Sequence, residues 1–138
     1  MHVKKPLPRV NPDNAPFWEG CREHRLLLPF CTECGRPHLP PGPVCPYCFS
    51  ERLKWRPASG RGQISSFVVV HKAWFPAFAP DIPYNVAQIE LEEGPRLTAA
   101  ILNAPPSALA IGLPVEVAFQ NRDGTTLPYF RLVEMKRE

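Results

Sequence analysis

The sequence predicts a mainly β chain: a short N-terminal helix, a small cysteine-rich segment and a five-stranded barrel. Three observations carry that prediction. Nineteen of the 138 residues are proline, and each proline removes a backbone donor and fixes φ, which disfavours long helices. Four of the five cysteines fall in two C-x-x-C pairs separated by ten residues. After Gly62 come five short runs rich in β-branched and aromatic residues, punctuated by turn residues.

The elements follow in order. Residues 1–12 form an extended arm, kept from helix by Pro6, Pro8 and Pro12. Asp13 or Asn14 offers a helix cap, and Pro16 is tolerated in the first turn. Phe17, Trp18, Cys21 and His24 recur at roughly helical spacing, so a short helix should bury an aromatic against the body of the chain. Arg25–Phe30 alternates as a strand that leads into Cys31, and residues 49–61 connect the cysteine segment to the body, with Trp55 as an anchor.

Strands are predicted at Gly62–His71, Tyr84–Glu92, Arg96–Leu102, Pro114–Gln120 and Pro128–Val133. Turns at Glu93-Gly94-Pro95 and Asp123-Gly124 join neighbours as hairpins. Five short strands in so few residues match a small Greek-key barrel of the OB type, although strand count alone fits an SH3-like barrel equally. Lys72–Pro83 is an apolar insertion between the first two barrel strands, and Ala104–Gly112 is a loop or single helical turn. The division is an arm and helix over 1–24, a metal segment over 25–57 and a barrel over 58–138.

The two C-x-x-C pairs, Cys31/Cys34 and Cys45/Cys48, have the spacing that brings four thiolates to one tetrahedral point. Gly35 permits the tight turn after the first pair. Four soft sulfurs suit Zn2+, with iron as the alternative. A closed four-cysteine shell leaves no position for water or substrate, so the ion is structural. Disulfides disagree with a reducing compartment, and a thioredoxin-type pair needs a βαβ setting that is not seen. His38 lies between the pairs, but four cysteines already saturate the site. Cys21 stands apart and reads as a small buried apolar residue.

Composition bounds the function. The hydrophobic fraction is 44%, ordinary for a globular chain. No apolar run approaches a membrane span, and the first twenty residues lack the apolar core of a secretory signal, so a cytoplasmic location without membrane contact is expected. Residues 1–61 carry a net +5 and residues 62–138 a net −2, which places any phosphate or acidic partner against the first half. No catalytic motif occurs. His2 and His24 lie in the arm and helix, and His71 ends a strand beside the apolar insertion. Glu90, Glu92 and Glu93 read as a solvated face. The chain is not expected to be an enzyme on its own.

The run FWEGCREHRLLLPFCTECGRPHLPPGPVCPYC is similar to the start of the DUF35 family, zinc-ribbon OB-fold proteins associated with acyl-CoA metabolism. SGRGQISSFVVVH, PYNVAQIELEEGPRL, IGLPVEVAF and LPYFRL continue the likeness, which covers roughly residues 14–132. The resemblance implies an N-terminal helix, a rubredoxin-like zinc ribbon held by the four cysteines and a C-terminal OB-fold barrel. It also implies a non-catalytic accessory subunit that binds or channels acyl-CoA beside a thiolase-like enzyme, as in ketothiolase, hydroxymethylglutaryl-CoA synthase and steroid side-chain aldolase complexes. Pro29 and Phe49 depart from the family pattern, where more polar or smaller residues are expected.

On that reading, Trp74, Phe75, Phe78, Ile82, Pro83 and Tyr84 line an apolar ligand or partner surface. His71 borders it, and Arg52, Lys54, Arg56, Arg61 and Lys72 are the cations available to nucleotide phosphates. Single-stranded nucleic-acid binding is the alternative, since OB barrels and zinc ribbons both serve it. The net negative barrel half, with no Lys/Arg interleaved among its aromatics, argues against it. Electron transfer through a four-thiolate iron is a third reading.

Overall fold

A computed structural model describes residues 5–133. Its elements are helix α1 (Ala15–Arg22) and strands β1 (Leu27–Cys31), β2 (Leu53–Pro57), β3 (Arg61–Val70), β4 (Tyr84–Leu91), β5 (Arg96–Ala99), β6 (Pro114–Arg122) and β7 (Thr125–Leu132). Two short 3-10 helices, Pro76–Asp81 and Pro106–Ala108, occupy the apolar insertion and the later loop.

Pro16 sits in the first turn of α1 as expected, but Asn14 makes no side-chain cap bond to the helix. Its amide is engaged upstream instead: Asn11 and Asn14 exchange backbone-to-side-chain bonds of 2.8 and 2.9 Å, which fixes the turn into the helix. The helix packs on β7 and β1 and buries Phe17 and Cys21 in the common core. The approach is close at Gly20, where a Cβ would stand 2.7 Å from the Arg25 carbonyl and 2.8 Å from Leu27. The aromatic pair of α1 therefore packs on this chain's own body.

β1 and β2 form a two-stranded antiparallel sheet that flanks the cysteine segment, with Pro29 opposite Trp55. β2 corrects the sequence reading, which made residues 49–61 a connection. Leu53 and Trp55 are half-buried, Lys54 and Arg56 exposed, which is the alternation of a strand with one wet face.

The other five strands run in the order β5-β4-β3-β6-β7, all antiparallel. The sheet closes through a parallel bridge between Ile101 and Phe130, with Leu102 N–H donating to Phe130 O at 2.7 Å and Phe130 N–H to Ala100 O at 3.0 Å. That parallel closure of the third barrel strand on the fifth identifies the OB topology over an SH3-like barrel. Asn85 reinforces the seam: its Nδ2 donates to Ile101 O at 3.0 Å, and Ile101 N–H donates to its Oδ1 at 2.7 Å. Phe130, Ile64, Ile89, Leu91 and Val115 fill the interior. β3 bends at a bulge between Ile64 and Ser66 and passes so close to β4 that a Cβ at Gly62 would lie 2.4 Å from the Glu90 carbonyl. Strand limits move by a few residues: β1 starts at Leu27, β5 stops at Ala99 and β7 starts at Thr125, before Pro128.

Candidate metal centre and apolar groove

Two equivalent turns build the cysteine cluster. In the first, Gly35 N–H donates to Cys31 O at 2.9 Å and Cys31 N–H to Arg36 O at 3.1 Å. In the second, Phe49 N–H donates to Cys45 O at 2.9 Å and Cys45 N–H to Ser50 O at 2.9 Å. Gly35 and Phe49 both take positive φ, 77° and 63°. The turns face each other, with sulfur–sulfur distances of 3.5 Å for Cys31 and Cys48 and 3.6 Å for Cys34 and Cys45. All four sulfurs lie within 4.8 Å of one another. A tetrahedral ion with metal–sulfur bonds of about 2.3 Å needs sulfur–sulfur edges of about 3.8 Å, so the cluster accommodates Zn2+ with adjustments of no more than about 1 Å in any edge.

The electrostatics agree. The Cys34 amide donates to the Cys31 sulfur at 3.4 Å and brings that thiol down to about 6. Cys45 is also lowered: burial opposes ionisation, but the amides of Cys48 and Tyr47 prevail. At Cys48 the Ser50 amide pulls down, yet the Cys31 sulfur, burial and the remaining sulfurs outweigh it and push the thiol up to about 12. Cys34 is raised likewise, its Arg36 amide being outweighed by burial and the neighbouring sulfurs. Two thiols ionise readily and two resist, because four negative sulfurs cannot share one point without a cation. Zn2+ held by the four cysteines would supply that cation and tie the turn at the end of β1 to the turn that precedes β2.

His38 lies outside the cluster. It is buried, and neither ring nitrogen has a hydrogen-bond partner among the described residues. Burial lowers its pKa from 6.5. Cys21 is buried in the core, as the sequence suggested, and burial pushes its thiol up to about 12.

A second feature is a groove of about 1360 Å3 between α1, the Leu39–Pro41 loop, the 3-10 insertion and the β4–β5 and β7 strands. Phe78 packs on Tyr84 (ring centroids 5.5 Å apart) and on Phe75 (6.2 Å) to make one wall, and Trp18 and Leu97 extend it. Pro83 also lines it. Of the residues singled out in the sequence, Phe75, Phe78, Pro83 and Tyr84 come together here. Arg61, His71, Lys72 and Trp74 do not line it; Lys72 instead lies over the exposed Trp74 ring, 4.4 Å from its centre.

The groove's cations are Lys5, Arg96 and Arg122, and sequence reasoning missed all three. Arg52, Lys54 and Arg56 belong to the ribbon end of the chain and none borders the groove. Lys5 pairs with Asp81 and sits 5.3 Å from the Phe78 ring. Arg122 bonds the Tyr129 hydroxyl and lies 5.9 Å from the same ring. The signal for Arg122 was its place at the Asp123-Gly124 turn, because the loops after the first and fourth strands of an OB barrel converge on one ligand face. Arg96 gave no local signal. No histidine or cysteine lines the groove. Among the described residues, no helix is long and apolar enough to cross a membrane.

Comparison with known proteins agrees with the zinc-ribbon and barrel architecture. A family described as "ChsH2, rubredoxin-like zinc ribbon domain" matches residues 18–54, and one described as "ChsH2, C-terminal OB-fold domain" matches residues 55–120. A DUF35 domain-containing scaffold protein of Methanocaldococcus jannaschii is 36% identical over 75% of this chain and 74% of its own length. A probable enoyl-CoA hydratase alpha subunit of Thermomonospora curvata is 39% identical over 92% of this chain, and the 3-oxo-4,17-pregnadiene-20-carboxyl-CoA hydratase alpha subunit of Mycobacterium tuberculosis is 34% identical over 81%. The chain spans only 40% and 35% of the lengths of those two subunits. Among solved structures, a chain of the Ltp2-ChsH2(DUF35) aldolase matches with a TM-score of 0.83 and 38% identity, over 91% of this chain and 98% of that one.

Proposed function

We infer that this chain, which belongs to the DUF35 family of zinc-ribbon and OB-fold proteins, is an accessory subunit of an acyl-CoA-processing enzyme complex. Relatives are named as scaffold proteins, hydratase subunits and part of an aldolase, so the shared element is assembly with an enzyme. The partner proposed here is a thiolase-like enzyme. The Zn2+ on Cys31, Cys34, Cys45 and Cys48 is structural in this reading, and the chain supplies binding and position with no bond-making group of its own.

The observation that carries the ligand half is the groove. Its aromatic wall of Phe75, Phe78 and Tyr84 suits a pantetheine arm or acyl chain, which needs an apolar channel. Arg96 and Arg122 at its border suit the nucleotide phosphates. Pro83 shapes the wall beside Tyr84. Arg61, His71, Lys72 and Trp74 stay as candidates for the surface facing the partner, since all four are exposed or partly exposed.

The test is calorimetric titration of the zinc-loaded chain with butyryl-CoA and with free CoA at low salt. Binding of both should weaken severalfold in Arg122→Gln and in Phe78→Ala. Butyryl-CoA binding that ignores both substitutions removes the groove from the account. No binding to the chain alone or to its complex removes the acyl-CoA contact.

A further inference from the structure

The second cysteine turn holds a residue in the wrong conformation for its type. Gly35 and Phe49 occupy equivalent places, each one residue past a C-x-x-C pair, each donating its N–H back to the first cysteine at 2.9 Å. Both are left-handed, at φ 77° and 63°. Glycine takes that conformation freely, whereas a side chain brings its Cβ against the following carbonyl. A bulky residue held there at a backbone cost, with its side chain turned outward, has a side chain available for contact outside the fold.

The ring does nothing for the fold. Phe49 is 76% exposed and belongs neither to the core nor to any aromatic or cation–ring pair found among the described residues. Beside it in the same turn, Tyr47 is 55% exposed, with the Arg36 guanidinium 4.9 Å from its ring centre. The chain that follows carries exposed Arg52, Lys54 and Arg56 beside Glu51; Arg52 pairs with Glu33 at 3.6 Å, while Arg36, Lys54 and Arg56 have no ion-pair partner among the described residues. Two exposed aromatics on a turn clamped by the metal site form a rigid knob, and the nearby charge is basic. Rigid aromatics that lose little entropy on binding are the usual anchors of protein interfaces.

We propose that Phe49 is a docking anchor that inserts into a shallow apolar pocket, bordered by carboxylates, on the enzyme subunit this chain accompanies. The knob and the groove are separate surfaces, since neither Tyr47 nor Phe49 lines the groove. The proposal rests on the accessory reading for the existence of that subunit, and on the strained turn for the contact.

The experiment compares wild type, Phe49→Gly and Phe49→Leu, each zinc-loaded, binding to the subunit purified with the native chain. Phe49→Gly should keep its zinc and melt at the same or a higher temperature, because glycine relieves the left-handed backbone. Its Kd for the subunit should nevertheless rise on the order of thirtyfold, the loss expected for an interface anchor, with Phe49→Leu in between. Wild-type affinity in Phe49→Gly overturns this inference and leaves the accessory reading standing. If no acyl-CoA enzyme subunit accompanies the wild type, both fall. Phe49-dependent sedimentation with phosphatidylglycerol vesicles, or Phe49-dependent dimers of the chain, in place of subunit binding would overturn it in favour of a lipid or a second copy.

Discussion

Replacing Asn85 with Ala should open the barrel seam at a cost far above that of an ordinary surface asparagine. The side chain holds both backbone groups of Ile101, accepting at 2.7 Å and donating at 3.0 Å. Ile101 is 4% exposed and forms the parallel bridge to Phe130, which is fully buried. Truncation leaves a donor and an acceptor without partners, at about 1–3 kcal/mol each. Asn85 also lines the groove, so water can reach the vacated space and reduce the loss. The net expectation is about 2–4 kcal/mol. With a urea slope of about 1.5 kcal/mol/M, the midpoint falls by about 2 M. Asn85→Asp separates the two bonds: it still accepts from Ile101 N–H but sets a carboxylate against Ile101 O. Its deficit relative to wild type should shrink as pH falls toward the ordinary carboxylate pKa of about 4, where the carboxyl group gains a proton and becomes a donor. Urea titrations of zinc-loaded protein, followed by tryptophan fluorescence and far-UV circular dichroism, give both numbers. A change below about 0.5 kcal/mol for Asn85→Ala would show that the seam does not depend on this residue, and the reasoning would fail.

Two further predictions concern the ribbon. Cys45→Ser should lower bound zinc from one per chain to a substoichiometric amount, read by metal analysis, and zinc affinity of the wild type should fall on acidification because each ligand must be a thiolate. A visible iron–thiolate absorption in protein from native cells would contradict the zinc assignment. His38→Leu should leave stability at pH 7.5 unchanged or slightly raised, since no hydrogen bond is lost. Burial depresses the pKa of His38, so between 6.5 and the folded value the folded chain binds fewer protons than the unfolded chain, and stability falls as pH drops across that window and levels off below it. The variant should therefore gain on wild type as pH falls, in paired urea titrations; parallel curves would show that His38 carries no part of the acid sensitivity.

The metal centre was legible because its information is local. Two C-x-x-C pairs and a glycine specify two turns, and two turns specify a tetrahedron. The barrel strands were legible from their alternation and their number pointed to a barrel, but the pairs that close it were not, because the Ile101–Phe130 bridge and the Asn85 clamp join residues with no shared pattern. β2 was passed over because Lys54 and Arg56 make Leu53–Pro57 look like a solvated linker, and only pairing with β1 reveals the half-buried face of Leu53 and Trp55. The groove was half legible. Phe75, Phe78, Pro83 and Tyr84 lie close in sequence and stood out as an apolar cluster, whereas Lys5, Arg96 and Arg122 arrive from the arm, a hairpin and the far end of β6. Pairing Arg52, Lys54 and Arg56 with that cluster followed the charge of the first half of the chain, but the fold sends them to the ribbon. Phe49 was noticed as a departure from the family pattern, and its meaning needed the φ angle of the turn.

The most direct test of the accessory role is affinity purification of the chain from its native cell at low salt, with mass spectrometry and absorbance of what accompanies it. The account predicts a thiolase-like or other acyl-CoA enzyme subunit in near-equal amount. A chain that comes out without an enzyme and carries single-stranded nucleic acid would contradict it.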